Sequence, residues 1–158
     1  MKIFILLRVL LALHLSSLVV MAGTTVIDYI TYRTFWEFAD KSDPAARGLL
    51  PMMKKYGAVV RAAGATLLIT GIAMLALVDG VWFQQWWFKI KMVMVVVLIL
   101  NGALVGNKHG VAFRNQIEAN APDFTQSTSS VRVSLNRFYV SQLTLFFLII
   151  LVSTIKFD

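Results

Sequence analysis

Four long apolar stretches dominate this sequence, and each is about the length needed to cross a lipid bilayer. A membrane-spanning helix needs roughly 20 consecutive apolar residues. Such stretches run from about 3 to 27, 57 to 78, 86 to 105 and 135 to 155. The whole chain is 58% hydrophobic, against roughly 45–50% in an ordinary soluble domain. A water-soluble fold of this size could not hide that excess, whereas hydrocarbon solvates it. The expectation is an all-α fold. It is an up-and-down bundle of four transmembrane helices in a single domain over 1–158, with helices at about 3–38, 57–78, 86–106 and 133–156.

The punctuation between the stretches supports that reading. Helix 1 continues past the membrane to about Phe38, and Ser42-Asp43-Pro44 breaks it, because the residue before proline resists helical geometry. Asp79-Gly80 closes helix 2, and a polar loop over 107–130 separates helices 3 and 4. The start of the chain also fits a signal peptide, with Val20-Met21-Ala22-Gly23 as the cleavage context. Arg8 and His14 interrupt that run, and its length favours a span.

Charge orients the bundle. The net charge is +7, but the basic residues are spread over loops, which argues against nucleic acid and for orientation by, and contact with, anionic lipid. Loop 1–2 carries Arg33, Lys41, Arg47, Lys54 and Lys55, and loop 3–4 carries Lys108, Arg114, Arg132 and Arg137. Basic loops favour the cytoplasm. The N and C termini are therefore expected outside, in a bacterial inner membrane. Trp82, Phe83, Trp86, Trp87 and Phe88 then form an aromatic belt at the outer interface.

Packing signals follow. Gly57, Gly64 and Gly71 recur every seven residues, and Gly102, Gly106 and Gly110 every four. Small residues mark helix contacts in lipid, whether within the chain, with a second copy in a homo-oligomer, or with a membrane-complex partner. On helix 4, Ser134, Arg137, Ser141 and Thr144 share a face expected to look into the bundle, with Gln142 beside it. Phe146, Phe147 and Ile150 are expected to meet lipid or to pack higher up.

The chain has no cysteine, which removes disulfides, thiolate catalysis, cysteine-zinc sites and iron–sulfur clusters. No P-loop, dinucleotide fingerprint, nucleophile triad or zinc motif is present. Ionisable groups within spans are the remaining functional candidates. His14 lies near the middle of helix 1, where an imidazole either hydrogen-bonds a neighbouring helix or, as the neutral ring, ligates haem iron or moves a proton. His109 sits at a different depth, so one haem held by both histidines is not expected. Asp28 is about 21 Å from His14 along the helix, too far to share a metal. Lys91, just inside the third span, suits either the outer headgroup layer or an acidic group such as a propionate. Asp28, Arg61 and Arg137 sit at matching depths and suggest an ion-pair cluster or an anion site. With Asn101 and Ser141 they complete the candidate polar interior.

Several short motifs together resemble a family. Leu13-His14-Leu15 is followed by Ala22-Gly23 in helix 1. Trp87-Phe88-Lys89-Ile90-Lys91-Met92 opens helix 3, and Leu135-Asn136-Arg137 opens a last helix ending near Lys156. This order is similar to the bacterial membrane protoporphyrinogen oxidases and their copper-resistance-D-like, four-helix relatives. The resemblance implies a haem b ligand on helix 1, at His14, and a helix-3 lysine at the same cofactor, Lys91. The oxidase pattern also has a second histidine about three turns after that lysine, where this chain reads Leu100-Asn101-Gly102. The resemblance thus implies a redox-type relative with a different or lost activity. The other readings are a small transporter or channel subunit, its polar path using Arg137, Ser141, Asn101 and His14, and a non-catalytic accessory subunit held by its glycine faces.

Overall fold

A computed structural model describes residues 2–78, 81–106, 110–111 and 129–155. Asp79-Gly80, His109, most of the 107–130 loop and Lys156 lie outside the described residues. The described chain is helical: α1 (Lys2–Asp40), α2 (Ala45–Leu77), a short 3-10 turn (Val81–Gln84), α3 (Trp86–Leu100) continued by a π-helical segment (Asn101–Gly106), and α4 (Ser129–Ile155). All four helices are long and apolar enough to cross a membrane. Only 6% of the most apolar window of α1 is buried within the chain. Side chains such as Val19, Ile69, Ile72 and Phe147 stand about two-thirds exposed. Water would oppose that surface at about 25 cal/mol per Å2, so hydrocarbon is its natural solvent and the chain is a multi-pass membrane protein.

At 1.5 Å per residue, the 39 residues of α1 extend about 58 Å, well beyond a hydrocarbon core of about 30 Å. Its last turns therefore stand clear of the lipid tails. There the chain reverses within four residues. Asp43 N–H donates to the Phe38 carbonyl at 2.9 Å and Ser42 N–H to that of Ala39 at 3.0 Å, the paired bonds of a Schellman ending. Ser42 takes the left-handed conformation at φ 56°. The Asp43 carboxylate then accepts the Ala45 N–H at 2.8 Å, satisfying one of the free donors that open α2. Helix 2 thus begins about twelve residues before the expected Gly57. The mixed-charge stretch is helical too, and Pro51 is tolerated near its start.

Contacts along the helices fix an antiparallel order. His14 meets Gly71 and Met21 meets Gly64, so α1 and α2 run in opposite directions. Asp28, Tyr29 and Tyr32 reach Tyr139, Asn136 and Arg132 in turn, which makes α4 antiparallel to α1. Asn101 reaches Gln142 and Gly106 meets Phe138, which makes α4 antiparallel to α3. Three apolar clusters stack along the bundle. One lies around Tyr32, Phe35, Trp36 and Tyr139, one around Met21, Leu98, Phe146 and Ile149, and one around Trp87, Phe88 and Val152.

Two expectations change. The buried side of α4 is Val131, Leu135, Tyr139, Gln142, Phe146, Ile149 and Val152, spaced by three and four. Arg137, Ser141 and Thr144 are exposed instead, so the polar stripe turns outward. Aromatic and aliphatic side chains fill the interior more completely, and Phe146 belongs there while Phe147 faces out. The aromatic belt is also divided. Trp86 and Phe83 are exposed, whereas Trp87 and Phe88 are buried. The Trp87 indole N–H reaches Gln85 Oε1 at 2.6 Å, which satisfies its one donor.

Candidate functional site

The glycine series on α2 positions His14. A Cβ on Gly71 would stand 3.2 Å from the imidazole Cε1, and one on Gly64 would stand 3.4 Å from the Met21 sulfur. The absent side chains let α1 come close enough for the half-buried ring of His14 to lie on the backbone of α2. Gly57 faces only its own helix's Arg61, and Gly102 and Gly110 have nothing within 4 Å. The regular spacing thus hides two different uses.

Thr70 anchors the ring. His14 Nδ1 is 3.0 Å from Thr70 Oγ1. Thr70 is buried, and its hydroxyl is directed at the carbonyls of Thr66, at 2.8 Å, and Leu67, at 3.1 Å. A hydroxyl has one proton. With that proton given to its own helix, Oγ1 serves His14 as an acceptor. The tautomer that fits carries its proton on Nδ1 and presents the Nε2 lone pair, an assignment made from the bonding pattern. The Leu67 backbone carbonyl stands beside the same ring as a second acceptor, so Thr70 and Leu67 together hold the imidazole. The half-buried Lys91 on α3 is close enough for its charge to act on His14. The two residues singled out on helices 1 and 3 thus share one electrostatic neighbourhood. Such a site can accept a proton, bind a metal at Nε2, or hold an acidic group beside the ammonium.

A second polar centre joins α3 to α4. The Asn101 amide donates to Gln142 Oε1 at 2.8 Å and to Ser141 Oγ at 3.1 Å. It does so where α3 widens into the π-helical segment, a feature frequent at functional sites. Gln142 is buried and Ser141 is exposed, so this clasp ties α3 to α4 through one acceptor inside the bundle and one at its surface.

The third centre lies at the turn end of α1 and α4. The Tyr139 hydroxyl donates to Asp28 Oδ2 at 2.8 Å, the Tyr29 hydroxyl to Asn136 Oδ1 at 3.0 Å, and the Tyr32 hydroxyl to the Arg132 carbonyl at 2.8 Å. The Arg132 guanidinium forms a two-pronged bridge to Asp40 at 3.1 and 3.2 Å. It also lies 4.7 Å over the Trp36 ring. Among the described residues, no hydrogen bond or ion pair joins Arg61 or Arg137 to Asp28. Both arginines are exposed, and tyrosine meets the carboxylate where arginine was expected. The ion pair forms one helical overhang further out. Sequence reading missed Thr70 and this tyrosine set. Thr66 and Thr70, four apart in an apolar run, were the available signal for the first, and Tyr29 with Tyr32 on one side of α1 for the second.

Among the described residues, no three His, Cys, Asp or Glu side chains gather as a metal-binding group. No protein-family model matches the chain, and comparison with curated proteins and with solved structures also found no match.

Proposed function

We propose that this chain is a redox-type protein of a bacterial inner membrane, with both termini outside, that holds a tetrapyrrole such as haem b on His14. The observation that supports the reading is the Thr70 anchor at Nδ1, which would leave Nε2 as the ring atom for a ligand. Haem fits this donor chemistry because its macrocycle supplies four nitrogens and asks the protein for only one or two axial groups. Bound haem supplies one-electron chemistry at its iron. His14 binds, and Thr70 fixes the ring's tautomer and orientation, as partners of ligating histidines do. Lys91 offers positive charge to a propionate. The surrounding apolar side chains exclude water and lower the local dielectric, which tunes potential.

Purification in detergent from haem-replete cells tests this. The expected result is a Soret absorption band that disappears in His14→Ala while the variant remains monodisperse. Thr70→Val is expected to keep the band with weaker haem retention. A colourless wild-type protein that takes up no added haemin overturns the proposal.

A further inference from the structure

Next to the tyrosine set, α1 and α4 enclose a cavity of about 140 Å3 lined by Tyr32, Arg33, Trp36, Glu37, Arg132 and Asn136. Its charged walls are unequally engaged. Arg132 is held by Asp40 and the Trp36 ring. Asn136 receives the Tyr29 hydroxyl on Oδ1, so its amide N–H groups remain available as donors. Arg33 and Glu37 are exposed, and neither has a hydrogen bond or ion pair among the described residues. They stand four apart on α1, about 6 Å between Cβ atoms, yet do not bridge each other. The cavity therefore offers one uncommitted cation, one uncommitted anion and one amide donor.

Its depth narrows the ligand. Ile30 is the last exposed aliphatic residue of the apolar run of α1, and Arg33 follows about 5 Å further along the helix. The polar layer of a bilayer extends roughly 5–8 Å beyond the hydrocarbon on each side. The mouth of the cavity is thus level with lipid headgroups.

We propose that this cavity binds a phosphoethanolamine group, the zwitterion presented by phosphatidylethanolamine. The phosphate is matched by the Arg33 guanidinium and the Asn136 amide, since guanidinium and phosphate form paired, charge-assisted hydrogen bonds. The primary ammonium is matched by the Glu37 carboxylate. A phosphatidylglycerol headgroup sets neutral glycerol hydroxyls where the ammonium would sit and gives Glu37 no counter-charge. A choline headgroup has no N–H to give that carboxylate, and the nearby Trp36 ring is already covered by Arg132.

Native mass spectrometry of the detergent-purified chain, titrated with phosphatidylethanolamine, phosphatidylcholine and phosphatidylglycerol, tests the proposal. The expected result is about tenfold greater retention of the ethanolamine lipid than of either other lipid, equivalent to about 1.4 kcal/mol. Arg33→Gln should lower retention of the ethanolamine lipid, and Glu37→Gln should reduce it to the level of the choline lipid. Thermal unfolding with soluble phosphoethanolamine separates the two sources of the group. Stabilisation by the lipid alone identifies a membrane ligand, and equal stabilisation by the soluble compound identifies a free solute. Equal retention of all three lipids by the wild type overturns the proposal, as does selectivity that survives in Glu37→Gln. The wild-type panel decides the matter even if a variant folds poorly.

Discussion

Gly71 and His14 are fitted to each other: the glycine's missing side chain is the floor on which the imidazole rests, with Cε1 3.2 Å from where a Cβ would stand. Gly64 plays the same part for Met21 at 3.4 Å, an ordinary contact distance. Alanine removes the helix penalty of glycine, worth about 0.5–1 kcal/mol. Gly64→Ala should therefore raise the unfolding temperature in detergent. Gly71→Ala should gain less, or lose, because the ring must yield by a few tenths of an ångström, and it should perturb any ligand bound on Nε2. Thermal unfolding of the two variants side by side measures the difference.

Gly106 is fitted more tightly still. A Cβ there would lie 2.7 Å from Phe138 Cζ, so this half-buried ring, the far end of its side chain, has to shift. Gly106→Ala should cost up to about 1 kcal/mol, the lower end for overpacking. The companion change Phe138→Leu should recover part of that loss. Non-additivity of the two substitutions in denaturant unfolding checks it.

Tyr139→Phe removes the hydroxyl donor from Asp28. Loss of a donor to a charged, half-buried acceptor costs about 1.5–3 kcal/mol. The drop should shrink in Asp28→Asn,Tyr139→Phe relative to the sum of the single changes. A full four-variant unfolding cycle reads the coupling.

The Asn101–Gln142 clasp should show a smaller effect. Hydrogen bonds between membrane helices average about 0.6 kcal/mol, with a maximum near 1.7. Asn101→Leu and Gln142→Leu should each destabilise modestly, with a coupling in that range. Reversible unfolding in mixed micelles is the measurement.

Ser42 pays for its left-handed φ of 56° because it carries a Cβ. Ser42→Gly should stabilise the α1–α2 turn by up to about 1 kcal/mol. The check is a higher unfolding temperature with unchanged helix content.

Much of the bundle was legible in the sequence because hydrophobic length is a direct readout of hydrocarbon thickness. Ser42-Asp43-Pro44 marked the first reversal for an equally local reason, the clash before proline. The start of α2 was not legible, since Lys54, Lys55 and Pro51 make residues 45–56 look like loop while their helix runs outside the hydrocarbon. The facing of α4 was misread because Arg137, Ser141 and Thr144 share a face without that face being the inner one; its partners on α1 are tyrosines, which count as neither clearly polar nor clearly apolar. His14 was noticeable by type alone. Its partner Thr70 was not, because a threonine that bonds its own helix carbonyl resembles many others in apolar runs.

The widened turn at Asn101–Gly106 carries one residue more per turn than the helix leading into it. Each residue of an α-helix advances about 100° around the axis. Shortening this segment by a single residue would swing the upstream half of α3 around by about that angle relative to α4. Lys91 would then leave its present direction relative to α4, so the extra residue sets the azimuth of a cation some three turns away.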